Sequence, residues 1–201
     1  MQQNLIPSTK KVVFLDTNIL SNIITFKDID FSQIISQVYD IIFVQRVVKE
    51  EFKKDQAVVE ALINKYPNWF IFDENDEEIL SEDLYDQYNI VYKDVKEKLK
   101  EMDKRRDIVG HANEGEAHSI TAAYLIQGDY ICSHDLSIQE AIIELDLSIE
   151  NDEELRLIYQ HNLYDLCGII LQNGLAKRSS CRQFVSVFHE DFRKSTNKKK
   201  N

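Results

Sequence analysis

Four carboxylates stand out for where they fall in the chain: Asp16, Glu51, Glu116 and Asp135. Asp16 closes the apolar run "VVFL" at 12–15, and Asp135 comes just after "DYICS" at 129–133. Glu51 follows "IIFVQ", 41–45, by about a turn and a half of helix, and Glu116 lies in the first turn of a helix punctuated by Asn113. A carboxylate at the end of a buried strand is costly unless something pairs with it or coordinates it. Carboxylates brought close together repel, and such a cluster persists only with bound cations or bound protons. Oxygen ligands of this kind suit Mg²⁺ or Mn²⁺. His111, His118, His134, His161 and His189 show no spacing that suggests zinc.

Each acid also has a plainer reading. Asp16 and Asp135 are good helix N-caps. Glu51 stands beside Glu50 and fits a solvated helix face. Asn113 and Glu116 form an Asn-x-x-Glu pattern close to a capping box. These readings explain the acids one at a time, but not their joint occurrence in this order around these strands.

The elements that must position them follow from periodicity. "KVVFL", 11–15, is too short for a buried helix and rich in strand formers. "IIFVQ" is a second strand, "WFIF" at 69–72 a third, and "DYICS" another. A helix is expected from Thr17, and "FSQIISQVYD", 31–40, has helical spacing. "RVVKEEFKKDQAVVEALINKY", 46–66, reads as one long amphipathic helix ended by Pro67. Residues 73–109 form the most charged segment, with Leu80, Leu84, Tyr88, Val91, Val95 and Leu99 at three- or four-residue steps. A long, partly exposed helix or helical hairpin is expected there, its plainer reading being a solvated charged face. Helices are further expected over 113–128, 135–145, 152–172 and 178–194. Strands alternating with helices predict a three-layer α/β/α fold with a central, mostly parallel sheet, plus a helical insertion and C-terminal helices. In such sheets ligands gather at the carboxyl ends of the strands. Asp16 and Asp135 would share that rim.

With 201 residues, 43% hydrophobic, the chain is long enough for one domain with a proper core. Residues 1–195 are read as that single domain, with 73–109 as its insertion and 196–201 as a disordered basic tail. Five Gly and two Pro favour helices over turn-rich β architecture. Three cysteines, Cys132, Cys167 and Cys181, are an odd number without paired spacing, which suggests free thiols in a reducing compartment. "MQQNLIPSTK" lacks the apolar core of a signal peptide, and no apolar run reaches membrane-spanning length. A soluble, cytoplasmic protein with no membrane partner is the expectation. The net charge of −11 is uneven: residues 73–103 carry 12 acids against 4 bases, while 176–201 carry 8 bases against 2 acids. An acidic body does not suit a simple phosphate-coating protein. It suits a cation-loaded acidic pocket with local basic contacts.

The segments "VVFLDTNIL", "RVVKEEF", "NEGEAHSITAAYL" and "ICSHDL", taken together, resemble the PIN-domain nuclease family. The family pattern is an Asp closing the first strand, followed by a small polar residue and Asn. A helical Glu after a strand, a Gly-Glu-Ala helix start and a late Ser/Thr-x-Asp complete it. The resemblance covers roughly 11–145, less the 73–109 insertion, and "LYDLCGIILQNGLAKRSSCRQFVSVF" is similar in pattern to the family's closing helices. It implies a PIN-like ribonuclease dependent on Mg²⁺ or Mn²⁺, with Asp16, Glu116 and Asp135 as metal ligands and Glu51 completing the catalytic set. Thr17 or Asn18, with Ser133, would orient ligands or water. One or two divalent ions would lower the pKa of an attacking water and offset charge on the phosphate. The products would carry 5′-phosphate and 3′-hydroxyl ends. Relatives of this kind also imply an antitoxin or other protein partner, and a homodimer. The chain departs from the pattern in having no acid between Asp135 and Glu140, and in its acidic insertion.

An RNA substrate needs positive charge. Arg46 and Lys49 beside Glu51 are the first candidates, with 104–106 and Lys177, Arg178 and Arg182 behind them. Three other functions compete with the nuclease. A non-catalytic PIN-like module binding nucleic acid or protein is the first alternative. An aspartyl phosphatase would want a second Asp where Asn18 stands. Serine or cysteine hydrolysis has no Gly-x-Ser-x-Gly elbow and no evident Cys–His pair.

Overall fold

Val12–Leu15 is buried at every position, as the unbroken apolar run requires. This strand, β1, lies at the centre of a five-stranded parallel sheet. Its neighbours are β2 (Ile41–Gln45) and β4 (Tyr130–Cys132), with β3 (Trp69–Phe72) and β7 (Tyr159–His161) at the edges. The computed structural model describes residues 10–53, 55–108, 113–151 and 154–187. The expected tail at 196–201 and the end of the expected 178–194 helix lie outside the described residues, while 178–187 is helical.

Alternate residues of each strand feed two separate cores. Val13, Leu15, Ile42, Val44 and Cys132 face one core, and Val12, Phe14, Phe72 and Ile131 face the other. Such two-sided burial is why the strands read as continuous apolar runs instead of alternating ones. Each large apolar side chain taken fully out of water stabilises by roughly 1.5–3 kcal/mol. The first core is covered by α1 (Thr17–Thr25), α2 (Phe31–Val38), α3 (Arg46–Glu51), α4 (Gln56–Lys65) and α8 (Leu163–Gln172). The second is covered by α5 (Glu82–Arg105), α6 (Glu114–Leu125) and α7 (Leu136–Glu144). The expected three-layer α/β/α architecture is thus present.

Two expectations need correction. The single helix over 46–66 is broken between Glu51 and Gln56, where Phe52 donates to the Lys49 carbonyl and Asp55 becomes a new N-cap. A straight helix of that length would span about 30 Å. The strands beneath it hold only four or five residues, so a straight helix would overrun the core; the break keeps Val48, Val59 and Ile63 on one core. The expected helix over 152–172 is helical only from Leu163. Before it, β5 (Ser148–Asn151) and β6 (Glu154–Leu157) pair antiparallel, and β7 completes the main sheet. Among the described residues, 73–108 contain one helix, not a hairpin, and its own Tyr88, Val95, Leu99 and Met102 are buried on its inner face. It is therefore more than a solvated charged face. The thiols of Cys132, Cys167 and Cys181 are free and buried.

Candidate active site

The strand order β3-β2-β1-β4-β7 reverses direction of travel between β1 and β4. At such a switch point the two following connections leave in opposite directions and open a crevice at the carboxyl ends. Asp16 follows β1 and Asp135 follows β4, so both stand at this crevice. The Asp16 amide donates to the Cys132 carbonyl at 3.0 Å, which fixes the two strand ends side by side.

Asp16 is 3% exposed. Its Oδ1 accepts from the Thr17 amide at 2.8 Å, so the residue does cap α1. Its Oδ2 accepts from the Ser133 hydroxyl at 2.6 Å and from Asn18 Nδ2 at 2.7 Å. Asn18 Oδ1 in turn accepts from the His134 amide at 3.1 Å. The Thr17 amide, Asn18 and Ser133 thus hold the Asp16 carboxylate. Asp135 caps α7 through the Ser137 amide at 2.8 Å. Glu51, at the end of α3, accepts from the Thr17 hydroxyl. Glu116 is half-buried in the first turn of α6. The Asn113–Glu116 capping box does not form: Asn113 is in the left-handed region and does not cap with its side chain.

Two of the four acids, Asp16 and Glu116, respond to burial and to the acids near them. Burial pushes the Asp16 carboxyl up to about 6 against the opposing pull of Ser133 and the Thr17 amide, and the charges of Glu51 and Asp135 add to the rise. Burial likewise pushes Glu116 up to about 7, with Asp16, Asp135 and Glu51 reinforcing it. Among the described residues, no lysine or arginine forms an ion pair with any of the four. Buried Asp16 and half-buried Glu116, both raised in proton affinity, stand near two further acids with no paired cation among the described residues, and that is the donor chemistry of a divalent-ion site. The fit is in chemistry and not yet in geometry. Among the described residues, no three acid, histidine or cysteine side chains converge closely enough to form a ready-made ion shell.

Arg46 is already held by Glu50, Asp73 and Glu74, at 2.6, 3.0 and 2.8 Å. Lys49 pairs with Glu60 at 2.6 Å. A phosphate reaching either side chain must compete with these carboxylates. Arg105 and Arg106 pair with Glu144 and Glu140, while Lys177, Arg178 and Arg182 are exposed. Burial pushes the Cys132 and Cys167 thiols up to about 12, so both stay protonated and unsuited to nucleophilic attack.

Gln160 escaped the sequence reading. From β7 its Nε2 donates to the carbonyls of Ser133 and Asp135, at 2.8 and 2.7 Å, and so clamps the turn that carries Asp135. The signal for it was hidden because 152–172 read as helix. Gly115 matters in a second way: a Cβ there would lie 3.3 Å from Glu51 Oε1 and 3.6 Å from a Val48 methyl. The glycine lets α6 approach α3 and bring Glu116 toward Glu51. Comparisons with protein-family models, curated proteins and solved structures give no match. The arrangement of side chains at the sheet's switch point is therefore what speaks to function.

Proposed function

We propose that the chain is a Mg²⁺- or Mn²⁺-dependent ribonuclease of the PIN-like kind, hydrolysing RNA phosphodiester bonds at the crevice between β1 and β4. The observation that carries this reading is that burial, with the charges of Glu51 and Asp135 added, raises both Asp16 and Glu116 at a parallel sheet's switch point. Asp16, Glu116 and Asp135 would hold the ion, with Glu51 completing the set. A divalent ion bound there supplies Lewis-acid chemistry, activating a water toward phosphorus and offsetting charge on the phosphate. The chain's own residues do the positioning. Ser133 and Asn18 fix the Asp16 carboxylate, Gln160 fixes the Asp135 turn, and Thr17 holds Glu51. The expected setting is cytoplasmic, with an antitoxin or other protein partner and a homodimer as further expectations of the resemblance. The described residues contain no helix long and apolar enough to cross a membrane.

The test is cleavage of a single-stranded RNA with Mg²⁺ or Mn²⁺, with and without a chelator. Asp16→Asn, which keeps the shape and removes the charge, should cut kcat by at least about a hundredfold. A wild-type protein that neither cleaves RNA nor binds these ions would instead be a non-catalytic binding module.

A further inference from the structure

Among the described residues, the helix that carries Glu116 starts without a side-chain cap. Asn113 has φ +51, in the left-handed region, and its side chain turns away to donate to Asp103 Oδ2 at 2.6 Å. Asp103 lies near the end of α5. In the first turn of α6, Glu114 is gripped by two residues of α5: Lys96 pairs with one carboxylate oxygen and the Tyr92 hydroxyl donates to the other. One turn on, the His118 ring lies 4.4 Å from the Tyr92 ring, and its Nδ1 is 2.6 Å from the Tyr88 hydroxyl. Helix starts leave backbone donors without intrahelical partners and depend on side chains to satisfy and order them. A frayed first turn of α6 would carry Glu116 away from Asp16.

We propose that α5 stands in for the missing cap: Tyr92, Lys96 and Asp103 are positioning residues that order the first turn of α6 and thereby hold Glu116 at the carboxylate cluster. This rests on the functional reading above and gives the charged insertion a role in it. Tyr92 and Lys96 act through Glu114, and Asp103 acts through Asn113. Half-exposed ion pairs contribute little to global stability. Ordering one helical turn requires only a local effect, and three contacts converge on that turn.

The test uses the full chain with Tyr92→Phe and Lys96→Met combined, which removes both partners of Glu114 while keeping bulk. The first readout is hydrogen exchange at the Ala117 amide, which donates to the Asn113 carbonyl at 3.0 Å. It should exchange about tenfold faster, while amides in the last turns of α6 keep their protection. The second readout is Mn²⁺ binding, which should weaken by about tenfold or more, the usual cost of removing a ligand's support. KM for RNA should not move, and Lys96→Arg alone should behave as wild type. Unchanged exchange at Ala117, or an equal rise along all of α6, overturns the capping role whether or not the protein is a nuclease. Faster exchange at Ala117 with unchanged Mn²⁺ affinity overturns the positioning role. If the wild type binds no Mn²⁺ at all, the functional reading fails, and the positioning claim with it, while the capping result still stands.

Discussion

At the scale of single residues, the site depends on how one buried carboxylate is tolerated. Asp16 has three donors and no paired lysine or arginine among the described residues. Ser133 is the strongest of the influences that hold its charged form down in pKa. Removing a partner from a buried charged group costs on the order of 1–3 kcal/mol. Ser133→Ala should therefore destabilise by about that much, but unequally with pH. Near pH 5 Asp16 is largely protonated, because burial raises it to about 6, and it asks little of Ser133. By pH 8 it is charged and the lost donor counts fully. Urea unfolding at both pH values should show the gap between variant and wild type widening as pH rises. A constant gap would mean that Ser133 matters only as packing. The position of Asp16 was legible in the sequence, because a strand-ending acid has few explanations. Gln160 was not legible, because its function lies in two carbonyls that are distant in sequence and because its strand has only three residues.

At the scale of elements, short strands with β-branched and aromatic residues identified themselves, and the parallel sheet followed from their alternation with helices. What periodicity could not show was where a helix must break or a hairpin intrude. Residues 46–66 keep helical spacing throughout, yet the core beneath is too short for one straight helix, so α3 ends at Glu51. That ending delivers Glu51 to the rim beside Thr17. Tertiary geometry, not local preference, made the decision. The close approach of α6 to α3 is of the same kind, and it rests on Gly115. A methyl at this position would meet Glu51 Oε1 at 3.3 Å, so either the carboxylate or the helix must shift by a few tenths of an ångström. Because Glu51 is the end of a flexible, exposed side chain, Gly115→Ala should cost little stability, under about 1 kcal/mol, and helix propensity partly offsets even that. Its effect should appear in catalysis, as a drop in kcat of about tenfold or more with a nearly unchanged thermal midpoint. Loss of folding, or full retention of activity, would show that the two helices are not held at a catalytically meaningful separation.

At the scale of the whole molecule, an acidic chain of net charge −11 places Asp16 and Glu116 within electrostatic reach of Glu51 and Asp135. Without a cation this arrangement strains the fold. In the unfolded chain Asp16 and Glu116 titrate near 3.8 and 4.5, and folding raises them to about 6 and about 7. Between those values the native state binds more protons than the unfolded one, so stability falls as pH rises. The stability associated with their protonation is present at low pH and is lost by about pH 7. The loss is on the order of 3 kcal/mol per group and smaller where the two share the same repulsion. An ion that binds only the folded, deprotonated cluster returns stability by mass action, about 2.7 kcal/mol at a hundredfold excess over its Kd. Millimolar Mg²⁺ or Mn²⁺ should therefore raise the thermal midpoint at pH 8 and leave it nearly unchanged at pH 5. Sodium chloride at matched ionic strength controls for screening of the general negative charge. Asp16→Asn should be less sensitive to pH in the metal-free state and should lose most of the gain from the divalent ion. A midpoint at pH 8 that responds to sodium chloride and to the divalent ions alike would mean that the carboxylates carry only diffuse charge. The ribonuclease reading would then lose its physical basis.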